Sequence, residues 1–277
     1  MRRALGCAGL VLAFACGAFA DFVADGNLSE WGLTPGSNWH NSIGAFEWTE
    51  PQVGNNGYVG PGYGGQTFNV EAMYAHADSN YLYYAIVTGF PEAGTTYNGD
   101  KYYPGDILFD LDPRYVPSGS TTPTGKIEFA IETTSYDSTH PHGGKTSQNQ
   151  GAGSFYWDVT LALATEKWDD VYYPAEIKRN GSNNQADATL MGQTDFAYSN
   201  DYYGSSHYVI EGIVPLSFFG DPDCSSNTIW WTMTCGNDIG MLQDELPFGE
   251  VPEPGSLLLV GTGCLLAVGY VLRRRMK

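Results

Sequence analysis

The sequence predicts an all-β body, an antiparallel β-sandwich with long polar loops, between an N-terminal signal helix and a C-terminal transmembrane helix. Three observations lead to this prediction. No long segment of the body keeps apolar residues at the i, i+3, i+4 and i+7 positions typical of a helix. Short runs rich in Tyr, Val, Ile and Phe recur instead, bounded by Gly, Pro, Asn or Asp. At both ends of the chain, uncharged apolar runs lie beside clustered basic residues.

The first twenty residues have the three parts of a secretory signal. A basic start is followed by an apolar stretch, and Ala18 and Ala20 precede Asp21. We therefore expect cleavage after Ala20, which leaves residues 21–250 as the exported body. Cys16 raises the alternative of a lipoprotein, although the residues before it match a lipidation signal poorly.

The strand runs are clearest in "NVEAMYAHADSNYLYYAIVTGF", which predicts strands at 70–76 and 81–88 joined by a tight turn at 77–80. Further strands are predicted in "GDILFDLD", "KIEFAIETT", "SFYWDVTLA", "HYVIEGIVPLSFF" and "NTIWWTMTCG". The polar stretches between the runs are expected to be loops, at 54–65, 94–105, 117–125, 135–153 and 180–206. Because no repeat or convincing linker precedes Glu250, a single sandwich domain is expected.

The charge balance restricts the partners of the body. Six of the 13 basic residues and none of the 31 acidic ones lie in the terminal segments, so residues 21–254 have 7 basic and 31 acidic side chains, net −24. Such a surface repels nucleic acid and anionic lipid, whose binding relies on Lys and Arg. The composition therefore excludes nucleic acid as a partner and favours solubility and divalent cations.

The cysteines of the exported body are Cys224 and Cys235. A pair of cysteines outside the cytoplasm can form a disulfide, and we take a Cys224–Cys235 bridge as one prediction. Two buried free thiols are the alternative.

The C-terminal end predicts a membrane anchor. Residues 255–272 carry no charge over 18 positions, and a helix of that length is about 27 Å long, close to the thickness of the hydrocarbon core. Clustered basic residues beside a short apolar span mark the cytoplasmic side, so the body is expected outside. The basic cluster is Arg273, Arg274, Arg275 and Lys277.

Residues 251–277 also resemble a known signal. Val251, Pro252, Glu253 and Pro254, then the apolar span and then the arginines resemble the PEP-CTERM sorting signal of bacteria that make extracellular polysaccharide. The resemblance implies export, transient anchoring in the inner membrane and processing near 252–254 by an exosortase, a transpeptidase-like membrane enzyme. The endpoint would be the cell surface or the extracellular matrix. An ordinary single-span anchor is the alternative.

The body resembles a second group. "FVADGNLSEWG" and "YVIEGIVPLSFFGDPDCSSNTIWWTMTCGND" are similar to stretches of the β-sandwich group that includes DOMON-like domains and family-nine carbohydrate-binding modules. An Asp-Gly-x-x-x-x-Trp opening, an Asp-x-x-x-Leu-Tyr turn and a late Glu-x-x-x-Pro strand recur in that group. The matching residues are Asp25, Gly26, Trp31, Asp78, Leu82, Tyr83, Glu211 and Pro215. The resemblance implies a jelly-roll or DOMON-like sandwich that binds sugar in some members, with calcium supporting loops in some.

Aromatic side chains are candidates for binding a glycan, because they offer flat apolar faces to the C–H faces of sugar rings. Trp31, Trp39 and Trp48 lie near predicted loop or strand ends and are the candidate glycan-binding residues. Burial is the alternative for each, since a sandwich core also uses large aromatic residues. Trp230 and Trp231 are adjacent on a predicted strand, so one is expected to point inward and the other outward.

Acidic side chains at close spacing are candidates for binding calcium, which takes about six to eight oxygen ligands. Asp106, Asp110 and Asp112 alternate along "GDILFDLD", where Asp110 and Asp112 share a strand face. Turn caps and solvated carboxylates are the alternative. Calcium is the one cofactor that the sequence suggests.

Catalytic motifs are absent from the sequence. It contains no Gly-x-Ser-x-Gly elbow, His-Glu-x-x-His, phosphate loop or Cys-x-x-Cys. We therefore expect an exported, non-catalytic protein of the surface or extracellular polysaccharide, with glycan binding as its most concrete role. A structural matrix or surface-coat protein without glycan affinity is the first alternative, and a glycan-active enzyme is the second.

Overall fold

The computed structural model describes residues 22–33, 39–50, 64–111, 126–134, 151–163, 174–180, 185–199, 207–220 and 227–243. Both predicted terminal helices, with the signal-cleavage residues, the sorting motif and the basic cluster, lie outside these residues. No helix within the described ranges is long and apolar enough to cross a bilayer. Short 3-10 helices lie at Gln66–Phe68 and Leu216–Phe218.

In chain order, the strands of the described residues are β1 Phe46–Thr49, β2 Val70–Ala77, β3 Tyr81–Thr88, β4 Thr95–Tyr97, β5 Asp100–Tyr102, β6 Ile107–Asp110, β7 Lys126–Ile131, β8 Ser154–Leu163, β9 Pro174–Ile177, β10 Arg179–Asn180, β11 Gln185–Ala186, β12 Thr189–Gln193, β13 Asp195–Tyr198, β14 Tyr208–Pro215, β15 Thr228–Thr232 and β16 Ile239–Gln243. The predicted all-β antiparallel class is confirmed.

Within the described part of the chain, the strands form two main antiparallel sheets and two small ribbons. The five-stranded sheet has the order β1-β2-β3-β14-β13. The seven-stranded sheet has the order β12-β8-β7-β6-β15-β16, with β9 also paired to β8, and the ribbons are β4-β5 and β10-β11. Because β14 pairs with β3 and β15 pairs with β6, each sheet joins early and late parts of the chain.

The β2-β3 hairpin forms where the sequence predicts it, and Asp78 holds its turn. The backbone N–H groups of Asn80 and Tyr81 donate to Asp78 Oδ1 at 2.7 and 2.8 Å. The Tyr83 hydroxyl donates to Asp78 Oδ2 at 2.7 Å. These three bonds fix a short loop by local side-chain chemistry, as is typical of Asp in turns.

The five-stranded sheet is covered on both faces. Met73 and Ala75 of β2 pack into the cluster between the two sheets, which we call the central core. Tyr74 points to the opposite face, into a cluster that contains Leu28 and Trp31 from the start of the body. We call this second cluster the N-terminal layer, because residues 22–33 and 39–45 lie over the sheet there.

The seven-stranded sheet is also covered on both faces. Phe109 of β6 packs into the central core, whereas its neighbour Leu108 packs into a third cluster with Tyr156 and with Ile177 of β9. The strand runs read as nearly continuous apolar segments because both faces of these strands are buried.

Trp230 and Trp231 show the same two-sided burial. Trp231 packs into the central core and Trp230 into the third cluster, so the two rings point to opposite faces as predicted. Both are fully buried, because the face expected to meet solvent is covered by β9 and the residues around it.

Two of the predicted loops contain strands. The stretch 94–105 includes the ribbon β4-β5, and 180–206 includes β11, β12 and β13. Their residues have few β-branched side chains, and most of their side chains are exposed or half-buried. Strands β12 and β13 join the main sheets by pairing with the longer strands β8 and β14, whereas β4-β5 and β10-β11 form separate two-stranded ribbons.

A buried carboxylate links the two main sheets. The N–H of Val70, on β2, donates to Asp238 Oδ2 at 2.7 Å, and the N–H of Ile239 donates to Asp238 Oδ1 at 2.8 Å. Burial raises the pKa of Asp238 to about 8, although both N–H groups oppose the shift. This contact fixes the start of β2 against the start of β16.

Candidate functional site

The tryptophans predicted to bind glycan differ in accessibility. Trp31 is fully buried in the N-terminal layer, so its ring faces cannot contact a sugar. Trp48, on β1, is half-buried against the central core. Trp39 is half-buried against the N-terminal layer and lies beside polar side chains. Trp31 is therefore excluded as a glycan-binding residue, and Trp39 and Trp48 stay candidates.

Trp39 is held in an unusual backbone conformation. Its φ is 57°, in the left-handed region that bulky side chains rarely adopt. The Tyr74 hydroxyl donates to the Trp39 carbonyl oxygen at 2.5 Å. The two residues that follow Trp39 in the chain contact Glu47. The Asn41 N–H donates to Glu47 Oε2 at 2.8 Å, and His40 Nδ1 lies 2.6 Å from Glu47 Oε1. These contacts with β1 and β2 fix the turn that carries the Trp39 ring.

Polar side chains extend from the Trp39 ring across the five-stranded sheet. The rings of Trp39 and His207 are 5.3 Å apart between centroids, at 54°. His207 Nε2 lies 3.4 Å from Glu71 Oε1, which also accepts a hydrogen bond from Gln66 Nε2 at 2.8 Å. His207 comes from the residue before β14 and Glu71 from β2, so the pairing of distant strands assembles this group.

Asn69 and Glu50 continue the row. Asn69 Nδ2 donates to Glu50 Oε2 at 2.9 Å, and the Glu50 backbone N–H donates to the Glu71 carbonyl oxygen at 2.9 Å. We define the Trp39 site as Trp39, Glu50, Gln66, Asn69, Glu71 and His207.

The two carboxylates of the Trp39 site have opposite pKa shifts. Burial, followed by repulsion from Glu71, raises the pKa of Glu50 although Asn69 opposes the shift. Burial also acts on Glu71, but the hydrogen bonds from His207, Gln66 and Asn69 outweigh it and lower the pKa of Glu71. Glu71 is therefore held as a carboxylate that accepts hydrogen bonds.

The Trp39 site combines an aromatic face with hydrogen-bonding groups of several kinds. Imidazole, amide and carboxylate groups lie in one row next to an indole ring that is partly accessible. A ligand site needs an apolar surface with a few placed polar groups. The arrangement suits a small ring that has an apolar face and several hydroxyl groups.

The motifs at the start and end of the body meet at Glu211. The N–H groups of Asp25 and Gly26 donate to Glu211 Oε2 at 3.3 and 3.0 Å, and Trp31 Nε1 donates to Glu211 Oε1 at 2.7 Å. Burial raises the pKa of Glu211 to about 7, although the Trp31 bond acts against the shift. This carboxylate attaches the N-terminal layer to β14.

Among the described residues, one group of acidic side chains could hold a metal ion. One ligand atom each from Asp25, Glu30 and Glu211 lies within 4.8 Å of the others. Both oxygens of Glu211 already accept hydrogen bonds, so they are occupied in fixing the N-terminal layer. The group differs from the aspartates that the sequence suggested for calcium.

The predicted calcium ligands are not brought to one point. Asp106 accepts hydrogen bonds from Thr133 N–H at 3.1 Å and Ile177 N–H at 2.8 Å. Asp110 lies four residues further, about 13 Å along an extended chain, whereas calcium holds its ligands at about 2.3–2.6 Å. Asp106 and Asp110 therefore cannot share one ion, and Asp112 lies outside the described residues.

The disulfide between Cys224 and Cys235 stays a prediction. Cys235 is buried, and Cys224 lies outside the described residues. Glu71 and His207 cannot be recognised as site residues from the sequence, because no short motif spans residues so far apart in the chain.

The comparisons with known proteins concern the C-terminal end. The family model described as the PEP-CTERM protein-sorting motif matches residues 250–275. No curated protein and no solved structure matches the chain. The predicted sorting motif is thus confirmed, and it implies export, C-terminal membrane anchoring before processing, and an exosortase-type processing partner.

Proposed function

We propose that the exported body binds an uncharged polysaccharide at the Trp39 site and acts as a non-catalytic component of the cell surface or extracellular matrix. The observation that carries the proposal is the Trp39 ring, fixed in a left-handed backbone beside a row of hydrogen-bonding side chains. Backbone strain of this kind is concentrated at ligand-binding sites.

The chemistry of a pyranose fits this site. One face of a sugar ring consists of C–H groups, which stack on an indole ring. Its hydroxyl groups both donate and accept hydrogen bonds, as do the groups next to Trp39. His207 is half-buried against the Trp39 ring, and the exposed Gln66 shares the Glu71 carboxylate with His207, so we expect these two side chains to reach a ligand stacked on Trp39.

The charge of the body argues for an uncharged ligand. Residues 21–254 carry net −24, and the Trp39 site contains Glu50 and Glu71. A polymer with uronate or sulfate groups would be repelled by both the local and the overall charge. We therefore expect neutral sugars to bind more tightly than acidic sugars of the same length.

The second resemblance supports the proposal. Asp25, Gly26 and Trp31, which match the opening of the group containing DOMON-like domains and family-nine carbohydrate-binding modules, contact Glu211 of the matching late strand. A contact between the two motifs is expected if the body shares that sandwich, and some members of the group bind sugar.

The test is calorimetric titration of the body, residues 21–250, which contains all the described strands of both sheets. The probes are hexasaccharides of β-1,4-glucose, β-1,4-mannose, β-1,4-N-acetylglucosamine and guluronate, with calcium present. We expect at least one neutral probe to bind and guluronate to bind at least tenfold more weakly. Trp39→Ala should weaken the binding at least tenfold, since it removes the stacking surface.

A matched control is Tyr97→Ala. Tyr97 is 54% exposed on the β4-β5 ribbon, so its removal tests non-specific stacking on any surface aromatic residue. The proposal predicts unchanged binding by this variant. No binding of any probe would overturn the proposal in favour of a structural matrix protein without glycan affinity.

Glycoside hydrolysis is a second candidate, favoured by one observation. The pKa of Glu50 is raised and that of Glu71 is lowered, and such a pair can provide an acid and a base. Both carboxylates already accept hydrogen bonds from side chains, so we expect them to orient a ligand. Release of reducing ends from a bound probe, abolished by Glu50→Gln, would establish the enzyme instead.

A further inference from the structure

Trp157 presents an aromatic face on the other main sheet. Its side chain is 45% exposed, on β8. Phe129 of β7 and Thr189 of β12 are its direct neighbours across the sheet, so the three side chains form a row on one face. Phe129 belongs to the central core, and Trp157 therefore lies where that core reaches the surface.

The Trp157 ring rests on a rigid base. Its centroid is 5.4 Å from that of Phe129. The Phe129 ring is stacked on Phe155 at 5.3 Å and meets the edge of Phe219 at 5.1 Å. Phe155 is fully buried, so the row of rings is continuous from the interior to the surface. An accessible ring supported in this way loses little freedom when a ligand stacks on it.

The two faces of β8 exchange directly after Trp157. Asp158 has a φ of 55°, and the β7-β8 register pairs Phe129 with Trp157 and then Ile127 with Val159. Ile127 and Val159 pack into the third cluster, on the opposite face. Trp157 is therefore the last side chain of β8 on the core face before this change of face, and it is 45% exposed there.

The exposed side chain of Leu190, on β12, does not extend this surface. Leu190 is exposed and pairs with Tyr156, whose ring lies in the third cluster, so Leu190 is on the face opposite to Trp157. Thr189, directly beside Trp157, is exposed and adds a hydroxyl group. One ring beside a hydroxyl group is a poor site for a broad apolar protein surface and a good one for a sugar unit.

We propose that Trp157 and Thr189 form a second contact site for the same neutral polysaccharide, so that one body joins two segments of the polymer. This inference rests on the proposed function of the Trp39 site. Net −24 over residues 21–254 disfavours anionic occupants here as well. We call the pair the Trp157 shelf.

The two sites are on different parts of the sandwich. Trp39 packs over the outer face of the five-stranded sheet, in the N-terminal layer. Trp157 belongs to the seven-stranded sheet, at the margin of the central core. Because a sheet and the core separate the rings, one sugar unit cannot contact both. Two-site binding converts a polysaccharide-binding protein into a cross-linker of the matrix.

The experiment measures stoichiometry and cross-linking separately. The body is titrated with trisaccharides of the neutral sugars named above and then mixed with the matching soluble polymers, hydroxyethyl cellulose, glucomannan and glycol chitin. We expect two sites per body. Trp39→Ala and Trp157→Ala should each leave one, and either change should abolish the rise in viscosity of the polymer solution. Trp157→Tyr, which keeps a flat ring, should retain both properties.

The outcomes separate the two proposals. One site per body that is lost in Trp39→Ala and unchanged in Trp157→Ala would overturn the Trp157 shelf and leave the Trp39 site intact. Absence of binding to every probe would overturn both. The unfolding midpoint of each variant is measured first, and Trp157→Tyr carries the test if Trp157→Ala does not fold.

Discussion

The indole N–H of Trp31 donates to Glu211 Oε1 at 2.7 Å, which joins the start of the body to a strand 180 residues away. Trp31→Phe keeps an apolar ring and removes this donor. We expect the free energy of unfolding to fall by about 1–3 kcal/mol, because a buried carboxylate loses a hydrogen bond. Urea unfolding measures the change. Glycan binding should be unaltered, since the ring is buried; weaker binding at full folding would contradict this placement.

The buried carboxylates give stability a definite pH dependence. Burial raises the pKa of Glu211 to about 7 and those of Asp106 and Asp238 to about 8. These values exceed the unfolded ones of about 4, so the folded state holds the protons more tightly. The contribution of these three protonated groups to the free energy of unfolding is complete below about pH 4. It is lost as the pH rises through about 7 to 8.

The urea concentration at the midpoint of unfolding should therefore decrease as the pH is raised from about 6 to about 9. Asp238→Asn, which mimics the neutral acid, should flatten this decline although it lowers the midpoint itself. A midpoint that rises over the same interval would show that these groups are ionised in the folded protein at neutral pH.

Glu132 and Arg179 form a buried ion pair next to Tyr156 of the third cluster. Arg179 Nη2 donates to Glu132 Oε1 at 2.9 Å, and the side chains are 1% and 0% exposed. Arg179→Met leaves a buried carboxylate without its countercharge, and we expect a loss of about 3–5 kcal/mol. Adding Glu132→Gln should recover part of the loss, since Gln still accepts from Tyr156.

The matched control for the ion pair is Lys178→Met, at the exposed neighbouring position. A surface change of this kind should alter stability by less than about 0.5 kcal/mol. Equal losses in Arg179→Met and Lys178→Met would mean that the buried pair contributes nothing specific.

Tyr84 has a buried hydroxyl that finds no hydrogen-bond partner among the described residues. Removing an unsatisfied polar group should stabilise the fold, and we expect Tyr84→Phe to raise the free energy of unfolding by about 1 kcal/mol. Gly212→Ala should lower it by about 1–3 kcal/mol, because the new Cβ would lie 2.2 Å from the Tyr84 hydroxyl oxygen. The unfolding temperatures of Tyr84→Phe and Gly212→Ala, each compared with that of the unchanged protein, measure the two opposite changes in stability.

The sorting motif predicts the fate of the chain in a bacterium that has an exosortase. Replacing residues 252–254 with alanine should block processing, so that most of the protein stays at full length in the inner-membrane fraction. Immunoblots of cell fractions, with an antibody against the body, measure the distribution. Ser256→Ala is the control, and equal release of both variants would exclude a role for these residues.

The fold class follows from local signals in the sequence, whereas the weaker strands do not. Asp78 and the residues after it mark the β2-β3 turn, and alternating or continuous apolar runs mark the strands buried by two layers. Strands β12 and β13 carry mostly exposed or half-buried side chains, so nothing in their composition separates them from loops. They form because β8 and β14 offer edges for pairing.

The candidate site could be predicted only in part for a related reason. A tryptophan is recognisable in a sequence, and its aromatic ring makes Trp39 a candidate glycan-binding residue. Whether such a ring is accessible depends on which segment lies over it, and Trp31 is buried because residues 22–33 and 39–45 lie over the five-stranded sheet. Glu71 and His207 meet through the pairing of distant strands, which no spacing in the sequence records.

The order in which the strands pair has a consequence for secretion. A chain exported from its N-terminus delivers β3 and β6 long before their partners β14 and β15. Until the partners emerge, both strands present apolar edges that can pair with other copies of the chain. The sandwich can therefore close only at the end of translocation, and mutual repulsion of the acidic chains helps to keep nascent copies apart until then.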